Sequence, residues 1–519
     1  MAHRYIVCDR DQLFLLPTSM REWLPEGHLA WFVLDLVAEV DTSAFHARHP
    51  NVGVGAPAYN PEVLLALLIY AYCDKVRSSR RIEQLCETDV AYRVICANRP
   101  PDHATLARFR ADHEDAITAL FVDVLVLCGA AGLVSLGTIA IDGTKMGADA
   151  ALDANRGAEA IRAEVERILA EARGVDDDED SRHGSGRGDE LPAELARSGS
   201  RLARLKRAMA ELEELRAAAA AEAAERQSKA QQAAVEGRQL TGAKPKDPGQ
   251  ALARAEADVV AARTRIEHDW VKRAEQRAAK EKQAAAEGRV VPGKLGPNTW
   301  LEFKLRRAEA ALDAARRAAH DHAAKPIRVN VTDPDSRIMK TPGGFIQGYN
   351  AQAAVNEHHL VVGCGVTQDG NDAQQLLPMI ATVQATLEAA GVRSEIGTVL
   401  ADAGYWSEAN ATADGPDRLI ATTKDWKQRK AARQLGTTTG PPPKGATPLQ
   451  AMEHRLRTVE GAKMYAKRSC TVEPVFGVSK ENRGFRRFMR RGLHAAVSEW
   501  SLINATHNIL KLHKHLAVT

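Results

Sequence analysis

From about Asn155 to Ala324 the chain is dominated by Ala, Arg, Glu and Lys with few aromatic residues, and segments of strand character lie on both sides of this stretch. Good helix formers in such density exclude a strand-rich reading of the stretch itself. Within it Leu202, Leu205, Met209, Leu212 and Leu215 form one apolar stripe, enough for a helix hairpin or coiled-coil arm. An acidic, Gly-rich piece (176–190) and two Pro/Gly breaks (242–249 and 292–298) divide it. Strand character precedes it at Thr138–Ile141 and returns at Arg328–Val331, Gly348–Val355, Leu360–Thr367 and Thr398–Asp402, with a helical stretch over 372–390. The pattern predicts an α/β core interrupted after its first strand by a long α-helical insertion.

Upstream, from about Leu13 to Leu127, apolar residues recur at helical spacing, as in Val63, Leu64, Leu67, Leu68 and Ala71. The division expected is an all-helical N-terminal domain over 1–135, an α/β domain made of 136–155 and 326–519, and a helical insertion over 156–325. Between Lys75 and Arg110, short helices are separated by Pro100 and Pro101, with a new helix starting at Asp102 or Thr105. Arg77, Arg80 and Arg81 near these helix starts suit DNA docking, and equally suit the solvated face of a packed bundle.

With 70 basic and 67 acidic residues the net charge is only +3, so any nucleic-acid binding must come from local basic clusters. Seven cysteines, an odd number without a C-x-x-C pair, argue against a disulfide framework and a thiolate zinc site, and fit a reducing cytoplasm. The N-terminus has no apolar core of the kind a secretory signal needs. The uncharged run from Val124 to Ile141 contains Gly129, Gly132 and Gly137, so a helix end, a turn and a buried strand explain it better than a membrane span.

Two aspartates stand at the ends of apolar strands, Asp142 in IAIDGTK and Asp402 in VLADAGYW. A carboxylate at a strand's C-terminal end, followed by glycine, can turn into a crevice, where hard divalent ions such as Mg²⁺ take carboxylate, water and phosphate oxygens. An Asp after a strand also commonly caps the next turn. Further on, Glu473 precedes Pro474, which a helix tolerates in its first turn, and Lys480 follows two helical turns later, on the same face. Lys480, Arg483, Arg486, Arg487, Arg490 and Arg491 form a basic block with one nearby acid, Glu481, while Phe485 and Phe488 anchor the helix or stack on bases. A solvated basic helix with buried phenylalanines is the plainer alternative.

The order Asp142, Asp402, Glu473, with Tyr465, Arg468 and Lys480 around the glutamate, resembles the Asp-Asp-Glu (DDE) transposases of bacterial insertion sequences. That family shows Tyr, two residues, Arg, three residues, Glu, six residues, Lys; here Arg468 and Glu473 are separated by four residues. DGTK, LADAGYWSEAN and TVEPVFGVSKENRGFRRF also look like the family, as does the helical N-terminal region. The resemblance implies an RNase H-like core, a mixed sheet with flanking helices, in which Asp142, Asp402 and Glu473 hold two Mg²⁺ ions, with Mn²⁺ a possible substitute. It implies cleavage at terminal inverted repeats and transfer of the 3′-OH strands into target DNA, by a homodimer on paired ends, among the nucleoid DNA of the cytoplasm. Tyr465, Arg468, Lys480, Arg483, Arg486 and Arg487 would contact DNA, and Trp406 would stack on an unpaired base, against a core-packing reading for the aromatics after Asp402. A catalytically inactive, DNA-binding relative is the alternative.

Other polar residues take plainer readings. Asp333 and Asp335 flank Pro334 as local turn caps, His320, His322, His358 and His359 are solvated, and Asp149 and Asp153 are spare carboxylates.

Overall fold

The first strand, β1 (Thr138–Gly147), runs five residues beyond Asp142, which the sequence places at its end. In the computed structural model, described over residues 19–47, 58–183, 201–238, 245, 247–321, 327–423 and 439–518, β1 is the centre of a six-stranded sheet. After the two-residue β2 (Asn155–Arg156) and β3 (Val329–Asn330), the sheet continues with β4 (Arg337–Thr341), β5 (Gly344–Asn356), β6 (Val361–Thr367), β7 (Thr398–Ala401) and β8 (Asp417–Ile420). Its order is β4-β5-β1-β7-β8, with β6 also paired to β5. β1 is antiparallel to β5 and parallel to β7, and β7 is parallel to β8.

Covering on both faces accounts for the apolar runs. Ile139 and Ile141 pack on one side with Leu376, Ile380 and Val383 of the Leu376–Ala389 helix, while Ala140 and Met146 face the other. On that second face lies the Leu493–Leu516 helix, buried almost throughout from Ala495 to Ile509. Its polar residues are spent on the strands: Asn508 accepts from Val361 N at 3.0 Å and donates to Val361 O at 2.8 Å, and Trp500 Nε1 donates to Gln352 O at 2.8 Å. Edge backbone is thereby satisfied.

The helices before Ala131 share this core. The Pro61–Cys73 helix is buried on nearly every side and lies, with the Glu114–Ala130 helix, against Leu493–Leu516. Residues 1–154 and 332–519 accordingly form one compact unit, so the boundary expected at 135 marks no gap in packing. The helix expected at Asp102 or Thr105 is His103–Asp112, capped by Asp102, whose Oδ1 accepts from Thr105 N at 2.8 Å. The run from Val124 to Ile141 is a helix end, a turn with Gly132 at φ 73°, and β1. Among the described residues no helix is long and apolar enough to cross a membrane.

The second unit, 155–331, holds the helices Ala158–His183, Arg201–Val235, Pro248–Ala286 and Thr299–Asp321. Leu202, Leu205 and Leu212 of the predicted stripe are buried there with Ile161, Ile168 and Val329. β3, expected to belong to the main sheet, pairs instead with β2, Asn155 opposite Asn330 and Arg156 opposite Val329. Residues 184–190 of the acidic piece, part of the 242–249 break, and His322 lie outside the described residues.

β4 and β8 were not legible, being four or five residues long without a clear period. The basic stretch 483–492 is not helical either. Gly484 (φ 71°) and Gly492 (φ 94°) adopt left-handed backbone, and the segment pairs with the end of β1: Gly147 N donates to Arg486 O at 3.1 Å and Phe488 N to Gly147 O at 2.8 Å.

Candidate active site

Asp142 and Asp402 come together because β1 and β7 are parallel neighbours in which Ile141 pairs with Ala401. Each aspartate is the next residue, Asp142 still inside its strand and Asp402 just beyond its own. Both carboxylates are steadied by backbone, Asp142 Oδ1 accepting from Gly143 N at 2.8 Å and Asp402 Oδ1 from Gly404 N at 2.7 Å. The turn after Asp402 needs Gly404, since a Cβ there would lie 2.8 Å from Asp402 Oδ1.

Glu473 joins them through an arginine. The Val459–Thr471 helix, capped by Thr458, lies against β1 and β7 and carries Arg468 over Asp142. Arg468 Nη2 donates to Asp142 Oδ2 at 2.7 Å, and Nη1 to Glu473 Oε1 at 3.2 Å. Glu473 begins the short Glu473–Gly477 helix, with Pro474 in its first turn, where the missing N–H costs nothing. The guanidinium is 11% exposed, the Asp142 side chain 16% and the Glu473 side chain 56%, so the triad faces solvent on the glutamate's side.

The electrostatics are those of crowded acids held by one internal cation. Burial pushes Asp142 up to about 6, and the neighbouring carboxylates of Asp402 and Asp372 push the same way, while Arg468 and the Gly143 N–H oppose them. Burial works against the charge on Arg468, yet Asp142, Tyr465, Asp402 and Glu473 together hold its pKa above the ordinary value. Buried Tyr405, raised first by burial and then by Asp142, Asp372 and Asp402, sits within the field of all three aspartates.

Asp372 was missed by sequence reasoning, which placed it at the start of the helical stretch over 372–390; the helix begins at Leu376. Its Oδ1 accepts from Asn350 Nδ2 at 2.6 Å, Gln352 Nε2 at 3.0 Å and Lys145 Nζ at 3.2 Å. These partners come together because Gly143 and Lys145 on β1 stand opposite Gln352 and Asn350 on β5.

The expected DNA-contacting residues separate into spent and free. Arg483 is buried and donates to Ile503 O and Tyr72 O, each at 3.0 Å, and to Thr506 Oγ1 at 2.6 Å; burial draws it down to about 10. Arg77 stacks on Phe485, 4.8 Å from the ring centre, and pairs with buried Glu499 at 3.5 Å. These two arginines tie helices together, and as they stand no phosphate can reach Arg483. Phe485 and Phe488 are fully buried, so neither is placed to stack on a base. Tyr465 is also buried, and Trp406 is partly buried against the core. Lys480 lies on a single π-helical turn, Val478–Asn482, which breaks the regular α-spacing from Glu473; its Nζ donates to Lys145 O at 2.9 Å. Arg80 and Arg81 are exposed in the first turn of Ser79–Thr88, while exposed Arg486 pairs with Glu481 and exposed Arg487 with Asp149 at 3.1 Å.

Two plainer readings also change. Asp333 is fully buried and reaches well beyond its own turn, accepting from Tyr349 Oη at 2.8 Å and Gly492 N at 3.1 Å. Asp149 is no spare acid, since it pairs with both Arg487 and Arg491.

Residues 18–112 match a transposase domain (DUF772), and residues 422–513 match a transposase DDE domain. The second match takes in Tyr465, Arg468, Glu473 and Lys480. Together they support a DDE-type transposase of an insertion element. The DDE transposase match carries nuclease and transposition activity in general terms, a DNA substrate, and the divalent ions that DDE transposases generally use. The first match falls on the helical region that packs beside the sheet, and the two aspartates lie outside both matches. No curated protein and no solved structure matches the chain.

The residues present can be tested against a divalent ion. Among the described residues no three His, Cys, Asp or Glu side chains are gathered tightly enough to hold one. The donor chemistry nevertheless fits: Asp142 and Glu473 offer hard oxygens to one shared cation, now the Arg468 guanidinium, and Asp402 adds charge that a dication would relieve.

Proposed function

We propose that the chain is an insertion-sequence transposase that binds double-stranded DNA at terminal inverted repeats, cleaves the element's ends and transfers the 3′-OH strands into target DNA. The observation that carries this reading is the single guanidinium of Arg468 bonded to both Asp142 and Glu473 beside Asp402. A sheet in which the central strand is antiparallel to one neighbour and parallel to the other, with one acid on the central strand and one just past the end of its parallel neighbour, supports an RNase H-like catalytic core. On this reading the helical unit 155–331 is an insertion after the first strand.

Asp142, Asp402 and Glu473 would hold Mg²⁺ or Mn²⁺, two ions in the full assembly, and the bound metal would supply an activated water and charge relief for the departing 3′ oxygen. The chain's own residues do the rest. Burial of Asp142 works against its charged form, the form that serves as a ligand, and Arg468 works for it. Arg468 must leave the carboxylates, and the natural acceptor for it is a phosphate of the DNA, which takes a guanidinium in two-pronged fashion. Lys480, half-buried beside β1, is a shorter-reach phosphate donor, and Arg80, Arg81, Arg486 and Arg487 supply exposed charge for the duplex. Tyr465 acts from the buried core of the same helix as Arg468, Trp406 packs against the core four residues after Asp402, and paired ends call for two copies of the chain.

The test is a mobility-shift assay run beside a Mg²⁺-dependent cleavage assay. Asp142→Asn, Asp402→Asn and Glu473→Gln are each expected to lose cleavage by at least about a thousandfold while keeping end binding within a few fold. Full cleavage by any one of them removes that residue from the site. Binding by the unmodified chain with no cleavage under any divalent ion would leave a DNA-binding protein descended from a transposase.

A further inference from the structure

We propose that Asp372 is a fourth carboxylate of the catalytic centre, pairing with Asp402 as a divalent-cation ligand. The inference rests on the proposed function and extends it to a residue outside the Asp-Asp-Glu set.

The two oxygens of Asp372 are used very differently. Oδ1 receives three donors, from Asn350, Gln352 and Lys145. Oδ2 receives none among the described residues, and it faces Gly404: a Cβ there would lie 3.5 Å from Asp372 Oδ2 and 2.8 Å from Asp402 Oδ1. A carboxylate fixed through one oxygen, with the other left open beside the same glycine that Asp402 Oδ1 approaches, is the disposition of a supported metal ligand. Asp142 is pushed up by both Asp402 and Asp372, a crowding of negative charge that a cation would relieve.

Asn350 provides a second, independent pointer. Its side chain is fully buried, and its Oδ1 has no hydrogen-bond partner, although its Nδ2 is well bonded to Asp369 O at 3.1 Å and to Asp372. A buried carbonyl oxygen left bare costs roughly 1–3 kcal/mol, and such an atom usually has a missing partner. It lies 3.0 Å from where a Cβ of Gly143 would stand, and Asp372 Oδ1 lies 2.7 Å from the same point. The missing side chains of Gly143 and Gly404 admit these oxygens.

The surrounding chain holds the arrangement rigid. Gln352 is fixed on one side by the Tyr405 hydroxyl, which donates to its Oε1, and on the other by Trp500 bonded to its backbone carbonyl. Lys145 Nζ, 3.2 Å from Asp372, is the resident counter-cation of this pair, as Arg468 is of Asp142 and Glu473. Each half of the acid cluster thus carries one basic side chain where a dication would bring its own charge.

Loop anchoring is the competing role for Asp372, and the isosteric variant separates the two. Asp372→Asn keeps the shape and an acceptor for the loop but removes the charge. Mn²⁺ binding to the full-length protein, read by the loss of the free-ion electron paramagnetic resonance signal with and without a short DNA duplex, needs no turnover. Asp372→Asn is expected to weaken Mn²⁺ binding at least about tenfold while the melting temperature stays close to that of the parent. Lys145→Met, which frees the carboxylate, is expected to tighten it severalfold and serves if Asp372→Asn does not fold. Parent-like Mn²⁺ binding by Asp372→Asn, or by Lys145→Met where the first variant fails to fold, overturns the assignment, provided Asp142→Asn and Asp402→Asn bind weakly. If those two also bind like the parent, or if the parent binds no Mn²⁺ in either condition, the proposed function falls with it.

Discussion

Asp142 carries the residue-scale consequences. Its folded pKa of about 6 lies above the value of roughly 3.9 expected in an unfolded chain. Between those pH values the native state holds a proton that the unfolded state has shed, so this group favours folding below about pH 4, and that contribution is lost as pH rises through about 6. Asp142→Asn should remove the dependence, so the change in unfolding free energy from pH 4 to pH 7, read by urea titration, should differ between variant and parent by about 2 kcal/mol. Arg468 supplies a second test. Its removal leaves Asp142 without its cation, and Arg468→Ala should lose about 3 kcal/mol in metal-free buffer, much of it restored by millimolar Mn²⁺. A thermal melt showing no greater Mn²⁺ stabilisation in the variant than in the parent would contradict the exchange of arginine for metal.

At the scale of elements, the basic segment after Glu473 divides into parts with opposite expectations. Arg483 bonds two backbone carbonyls and a hydroxyl across the Pro61–Cys73 and Leu493–Leu516 helices, so Arg483→Ala should cost about 3 kcal/mol in unfolding and leave the salt dependence of DNA binding unchanged. Arg80→Ala and Arg81→Ala should behave oppositely, with little loss of stability and a fall of about one in the slope of log affinity against log salt for each phosphate contact removed. The sequence was legible where periodicity and caps agree, as at β6, β7 and the Asp102-capped helix. Asp142, Asp402 and Glu473 were legible as site candidates through residue type, order and spacing. What escaped depended on long-range pairing: β1 runs on past Asp142 because β5 and the 486–488 backbone pair with it, and Arg483 is bonded to the Pro61–Cys73 helix, 411 residues away at Tyr72, as well as to the helix that follows it. Asp372 escaped because its partners stand on two strands that meet only in the folded sheet.

For the whole molecule, the contact pattern sets the 155–331 unit apart, with its own buried stripe of Leu202, Leu205 and Leu212. Replacing residues 156–329 by a short Gly/Ser linker should leave the remaining sheet cooperatively folded, as judged by a single thermal transition and retained near-ultraviolet circular dichroism. Loss of that transition would mean the two units depend on each other. The feature that makes the excision reasonable is the two-residue ladder in which Asn155 faces Asn330. Because Asn155 and Asn330 stand opposite each other, the two ends of the segment between them lie only a strand's spacing apart, whatever its length. A guest sequence whose own ends lie a strand's spacing apart, such as a reporter protein, can therefore be seated there without prying the surrounding architecture open.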